Sequence, residues 1–110
     1  MARKIIEQSK NFSKKDFINS RNGIALQEIA GEKLKVKSCA ILLDTDEDEE
    51  EKEIGTIITD AGVYTTISEN IMDSIRDIIM IEAEGETDIT VNVQKRKSKQ
   101  GREFLCMTID

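Results

Sequence analysis

Hydrophobic and polar residues alternate with a period of two at the start of residues 33–43, which read KLKVKSCAILL. Leu34 and Val36 lie on one side of this segment and lysines on the other, before the segment becomes apolar on both sides. The pattern predicts a long β-strand. Two segments rich in β-branched residues, 54–59 and 63–67, predict a second and a third strand joined by a short DAG turn, in which the glycine can take a positive φ.

The period changes to that of a helix after Ser68, a residue type that favours helix N-caps. Ile71, Ile75 and Ile78 recur at helical spacing, and Gly85 is a suitable helix end. After the helix, the segments TDITVNVQ and REFLCMTI predict the two arms of a second hairpin, with a basic turn between them. The N-terminal region is polar, but its Ser13 is followed three residues later by an aspartate, so an approximate capping box predicts a short helix there.

These elements predict one domain over residues 1–110. Residues 1–23 are expected to form a basic N-terminal helical extension, and residues 24–110 a mostly β domain with five strands and one long helix in the order β-β-β-α-β-β. This is the element order of the OB-fold, a small barrel that binds oligonucleotides and oligosaccharides. An open α+β sheet with the same order of elements is the alternative.

Composition narrows the class of protein. The chain is 38% hydrophobic and 35% charged, which is typical of a soluble globular domain. No apolar run approaches the roughly 18 residues of a membrane helix, and the first residues lack the apolar region of a signal peptide, so we expect a location inside a cell. There is no histidine, and the cysteines, Cys39 and Cys106, are far apart in sequence and expected as free thiols. We therefore expect no enzyme, no metal and no cofactor.

The charges are segregated along the chain. The net charge of -6 is composed of +5 over residues 1–41, -14 over residues 42–90 and +3 over residues 91–110. A fold that keeps these blocks apart would have a positive face on an acidic molecule.

Basic residues concentrate at the turn of the second hairpin and on the first strand. Such cations can contact phosphate oxygens, although a solvated, solubilising turn is the alternative. The predicted phosphate contacts are Lys95, Arg96, Lys97, Lys99 and Arg102 in the hairpin, and Lys33, Lys35 and Lys37 on the first strand. For base stacking, Tyr64 would lie on the outer surface of the third strand if its neighbours face the core, and a packing role is the alternative. Phe104 favours the core, with base contact as its second role.

Eight carboxylates crowd the ten residues Asp44 to Glu53, which predict a solvated loop. Asp44, Asp46 and Asp48 match the first ligand positions of an EF-hand, but the sixth position is Glu49 and the twelfth is a glycine, so the standard calcium site is excluded. The run could instead repel nucleic acid from the wrong face or imitate it for a basic partner. This defines the alternative function, a protein-binding inhibitor of the counter-defence or DNA-mimic type that acts through its acidic surface.

The segments GEKLKVK, DAGVYTTIS and KSKQGREFL, with the isoleucine-rich helix between the last two, resemble the small single-stranded DNA-binding proteins of phages and mobile elements of low-GC Gram-positive bacteria. The resemblance covers roughly residues 24–109. It implies an OB-like fold and sequence-independent binding of single strands in replication or recombination, without catalysis, in the cytoplasm of a bacterial host. The positions that match the family's hairpin and strand pattern are Tyr64, Lys97, Lys99, Gly101, Arg102 and Phe104.

Single-stranded nucleic acid is thus the expected partner. A second copy of the chain is another, because the final segment REFLCMTI is apolar on both faces and an exposed terminal strand can pair across a dimer.

Overall fold

The computed structural model describes residues 2–110, which form seven strands and two helices. The strands are β1 (Ala2–Gln8), β2 (Ile24–Ala25), β3 (Lys33–Thr45), β4 (Glu51–Thr59), β5 (Val63–Thr66), β6 (Thr90–Lys97) and β7 (Glu103–Ile109). The helices are α1 (Lys14–Asn19) and α2 (Glu69–Ala83), and single turns of 3₁₀ helix lie at Ser20–Asn22 and Leu26–Ile29. Within this part of the chain, no helix has the length and hydrophobicity needed to cross a membrane.

The seven strands form one curled sheet in the order β2-β5-β4-β3-β6-β7, with β1 also paired to β3. The long strand β3 holds the sheet together, because β4 pairs along one edge while β6 and β1 share the other. All pairs are antiparallel except β2 with β5. The edge strands β2 and β7 share no ladder, so the sheet is a half-barrel that is open between them.

Helix α2 packs on the inner face of the sheet. Its buried stripe of Ile71, Ile75 and Ile78 is fully removed from water, and burial of each such side chain contributes about 1.5–3 kcal/mol. The helix approaches β4 closely at Gly55, where an added Cβ would lie 2.7 Å from the Cδ1 atom of Ile75. The strands contribute to this inner core with Leu34, Cys39, Ile41, Ile57, Tyr64, Val91, Val93 and Met107.

The predicted helix ends are confirmed. The hydroxyl of Ser68 caps α2 by accepting a hydrogen bond from the backbone N–H of Ile71 at 3.4 Å. Gly85 follows the last turn with a φ of +103°, a conformation that favours glycine. In α1, the Ser13 hydroxyl accepts from the N–H of Asp16, and the Asp16 carboxylate accepts from the N–H of Ser13, both at 3.1 Å, which completes the capping box.

A second core, which we call the outer cluster, covers the outer face of β3, β4 and β5. Phe12, from the segment between β1 and α1, is buried against Leu42 and Ile58, and Phe17 of α1 packs beside it with Val63. The N-terminal region is therefore part of the packed domain. Its contribution explains why β3 is apolar on both sides after its alternating start: one side contacts α2 and the other the N-terminal segment.

The mostly β architecture is confirmed, but the prediction of five strands and one long helix was wrong. The structure adds β1 and the two-residue strand β2, and it has two short helices of 6 and 15 residues. Strand β1 has no clear alternation because its pairing shifts register between Ile5 and Glu7, as at a β-bulge. Arg76 of α2 also holds β1 in place, because its Nε donates to the Glu7 carboxylate at 2.6 Å.

The prediction of a loop over Asp44 to Glu53 was also wrong in extent. Strands β3 and β4 continue into the acidic run, and only residues 46–50 lie between them. Cross-strand cations explain this, because Asp44 lies opposite Lys52 in the ladder and forms an ion pair with Arg3 of β1, with 3.5 Å between Nε and Oδ1. The turn is closed by the Asp46 carboxylate, which accepts from the N–H groups of Asp48 and Glu50 at 2.9 and 3.0 Å.

Candidate nucleic-acid interface

The β6–β7 hairpin changes from core to solvent part-way along its length. Val93 and Met107 lie opposite each other in the ladder and are buried, at 0% and 7% exposure. Beyond them, Lys95 pairs with Leu105 and the next positions are exposed cations. We call residues 94–105, which lie beyond this last buried pair, the basic arm.

The pairing register decides which side of the basic arm each residue occupies, because side chains alternate along a strand and directly opposite residues share a face. Lys95 and Lys97 lie on the same side as Val93 and Leu105, which is the inner side of the half-barrel. Arg96 lies on the outer side, directly opposite Phe104. The arm therefore has cations on both faces.

The turn of the arm is well formed. The N–H of Ser98 donates to the carbonyl of Arg102 at 2.8 Å, and Gly101 takes a φ of +80°. Lys99 and Arg102 are exposed on this turn. Within residues 2–110, none of the five cations of the arm lies at salt-bridge distance from a carboxylate, although Glu103 is the ladder partner of Lys97.

Unlike the cations of the basic arm, the three lysines of β3 are paired with carboxylates. Each has a carboxylate close to its Nζ atom: Asp110 at 3.4 Å from Lys33, Asp88 at 3.5 Å from Lys35, and Asp60 at 2.8 Å from Lys37. The Asp60 carboxylate raises the pKa of Lys37 through a hydrogen bond and Coulomb attraction.

Acids distant in sequence therefore lie beside each of the β3 lysines, so the separation of charges along the sequence does not persist around this strand. Phosphate contact by Lys33, Lys35 and Lys37 stays a prediction, and it would require competition with those acids.

The outward orientation expected for Tyr64 was wrong. Its side chain is only 7% exposed and belongs to the inner core. The adjacent Val63 packs instead on the outer cluster around Phe12. Because the N-terminal segment makes both faces of this sheet apolar, alternation alone could not decide which face of β5 contacts the core. A buried ring offers no face to a base, so Tyr64 is not a stacking platform in this structure.

Phe104 is placed differently from its expected core position. It is 37% exposed and, with Leu105, lines a groove of about 530 Å³ along the open side of the half-barrel, where the edge strands β2 and β7 do not pair. The opposite wall is formed by β2, by the 3₁₀ turn after it, by the end of β5 and by the link between β5 and α2. The lining residues from these elements are Ala25, Leu26, Gln27, Thr65, Thr66, Ile67 and Ser68.

Phe104 is the one groove residue that the sequence predicted as a contact, and the unpredicted ones include Arg3, Arg21 and Ile67. The signal for Ile67 was its position directly before the N-cap Ser68, where an apolar residue normally packs on the fourth helical residue, here Met72. Ile67 is instead 75% exposed. Arg21 was visible only as one of many N-terminal cations, and β1, which brings Arg3 to the groove, was not predicted.

Residues 10–110 match the family model described as the phage single-stranded DNA-binding protein of the Phi29 type. The chain belongs to this family. No curated protein and no solved structure gives a significant match to the chain. The family assignment confirms the resemblance seen in the sequence and indicates a protein that binds single-stranded DNA, from a family of binding proteins rather than enzymes. In the described residues, no cluster of side chains is arranged to hold a metal ion.

Proposed function

We propose that this chain binds single-stranded DNA without sequence preference, and that the basic arm makes the main phosphate contacts. The observation that carries the proposal is the set of five arm cations without a carboxylate at salt-bridge distance, on a chain whose net charge is -6. Unpaired cations displace the counterions of a DNA strand without first giving up a protein carboxylate, so they gain more from phosphate than paired ones.

The proposed contacts divide between the two faces of the arm. Lys95 and Lys97 on the inner side, with Lys99 and Arg102 at the turn, follow the phosphates. On the outer side, Arg96 lies across the ladder from Phe104, so the aromatic ring and the guanidinium can together support a base. Neither kind of contact reads base edges, and we therefore expect little sequence preference.

The fold is consistent with an OB-like barrel. In an OB-fold, ligands bind beside the loops that join the first strand to the second and the fourth to the fifth. The matching turns here are those between β3 and β4 and between β6 and β7. The groove has residues from both of these hairpins, Ile54 from one and Phe104 from the other. We propose that such binding serves replication or recombination of a phage or mobile element in the cytoplasm of a bacterial host.

Self-association is a further part of the proposal. Strand β7 pairs only with β6, which leaves its other edge without a strand partner in the described residues. An unpaired edge can form a ladder with a second chain, and we propose a homodimer through β7.

The test is a direct binding measurement. Fluorescence anisotropy with labelled oligonucleotides of mixed sequence, used as single strands and as the matching duplex at low and high salt, should show tight binding to each single strand. Binding should weaken steeply with salt, and unrelated single strands should bind alike. No binding to any single strand at low salt would contradict the proposal and would shift attention to a protein partner of the acidic run.

A further inference from the structure

We propose that the groove on the open side of the half-barrel is a base-binding site, in which one DNA base lies between Ile67 and Phe104 while Arg21 holds a neighbouring phosphate. This inference rests on the proposed single-strand binding and adds to it a second set of contacts, which includes Phe104 of the basic arm. It assigns roles to two residues, Ile67 and Arg21, that lie outside the basic arm.

The charge of the groove is the first argument. Its lining contains two arginines, Arg3 and Arg21, and no carboxylate. By contrast, a second cavity beside β3 is lined by three lysines together with Asp60, Glu82, Glu86 and Asp88. In a chain with 22 acidic and 16 basic residues, a groove free of carboxylates is a favourable environment for an anionic strand.

The hydrophobic side chains are the second argument. Ile67 and Phe104 are 75% and 37% exposed and lie on opposite walls of the groove. Apolar side chains that line a cleft are a common feature of ligand-binding grooves. The faces of a nucleobase are apolar and flat, and stacking on a side chain tolerates every base. The volume of about 530 Å³ lies within the range of small-molecule sites.

The position of the cations is the third argument. Arg3 is held by Asp44, so Arg21, exposed on the 3₁₀ turn before β2, is the arginine of the groove that has no carboxylate at salt-bridge distance in residues 2–110. On the other wall, Lys95 and Lys97 share the inner side of the hairpin with Leu105, which lines the groove. Phosphates on either side of an inserted base would therefore meet a cation on each wall, and the strand would cross the groove.

The experiment compares Ile67→Ser and Arg21→Gln with matched surface controls. Ile18 on α1 is also strongly exposed, at 62%, and lies outside the groove, so Ile18→Ser controls for the loss of an apolar side chain. Lys14→Gln, also on α1, controls for the loss of one positive charge. Two ligands are used: a single-stranded thymidine oligonucleotide and a strand of equal length in which every residue is an abasic phosphodiester unit.

For the thymidine strand, we expect Ile67→Ser to weaken binding about 5-fold, the lower end of the range for aromatic stacking, because an aliphatic side chain covers a base without stacking on it. The same variant should bind the abasic strand as the parent does. Arg21→Gln should weaken binding of both strands and lower the salt slope by about 0.7, whereas the α1 controls should change neither. A double-mutant cycle of Ile67→Ser with Phe104→Ala should show coupling, because both side chains would hold one base.

The outcomes separate the two proposals. A parent chain that binds no strand overturns the proposed function and this site with it. If the parent binds but Ile67→Ser retains full affinity, or loses equal affinity for the thymidine and abasic strands, the base site is wrong and the basic arm stands. Circular dichroism and thermal unfolding of each variant ensure that a loss of binding is not a loss of fold.

Discussion

The two sets of lysines allow a test in which net charge is held constant. We compare the triple variant Lys95→Gln, Lys97→Gln and Lys99→Gln in the basic arm with Lys33→Gln, Lys35→Gln and Lys37→Gln on β3. Each lowers the net charge by three from -6. The difference between them is the presence of a carboxylate beside every ammonium of the β3 set and beside none of the arm set.

The expected magnitude follows from counterion release. On a single strand, each neutralised phosphate contributes about 0.7 to the slope of log K against log salt. Loss of three arm contacts should therefore lower the slope by about 2, equivalent to about 100-fold in affinity over a tenfold change of salt. In the β3 set, a phosphate would only replace a carboxylate already 2.8–3.5 Å away. We therefore expect the slope of log K against log salt to change by less than about 1 in this variant.

The measurement is a salt titration of binding by fluorescence anisotropy with one labelled oligonucleotide, using parent and both variants at the same pH. The arm variant should approach the parent in affinity at high salt and fall behind it at low salt. Equal reductions of slope in both variants would refute the reasoning, because the local carboxylates would then be irrelevant to phosphate contact. A larger reduction of slope in the β3 variant would show that the main phosphate contacts lie on that strand.

Two further predictions concern the fold itself. Phe12→Ala should lower the free energy of unfolding by about 3–5 kcal/mol in urea titrations, because the ring is buried against Leu42 and Ile58. Ile18→Ala on the exposed side of α1 should have little effect on this free energy. If Phe12→Ala changed it as little as Ile18→Ala does, the outer cluster would not unfold cooperatively with the rest of the domain. Burial raises the pKa of the Cys39 thiol from 9.0 to about 12, so above pH 9 the unfolded chain loses a proton that the native one keeps, and stability falls through this range. Cys39→Ala should remove this part of the decline, and a constant stability difference from the parent between pH 9 and 12 would contradict it.

Local chemistry made several features predictable. The caps at Ser13 and Ser68 and the glycine after α2 depend on hydrogen bonds and backbone preferences within a few residues, and they are present. Gly62 also takes the positive φ expected of the turn between β4 and β5, where the Thr59 hydroxyl accepts from its N–H at 3.1 Å. Each of these interactions joins groups that the sequence already places side by side.

The features that were missed depend on residues distant in sequence. The partners of the β3 lysines lie at Asp60, Asp88 and Asp110, and no periodicity within β3 reveals them. The side of β5 on which Tyr64 lies was misassigned for a similar reason, since the outer cluster around Phe12 gives β5 a second apolar surface. The strand structure of the acidic run likewise depends on counter-charges from another strand.

A change from valine to lysine along β6 accounts both for the open side of the half-barrel and for the positive charge beside it. Along the inner side of β6, the residues are Val91, Val93, Lys95 and Lys97. The first two are fully buried. A closed barrel would have to bury the lysines that follow, and an unpaired buried ammonium is too costly. The sheet therefore stays open beyond Val93, and the charges that keep it open lie beside the opening, where an anionic strand can satisfy them.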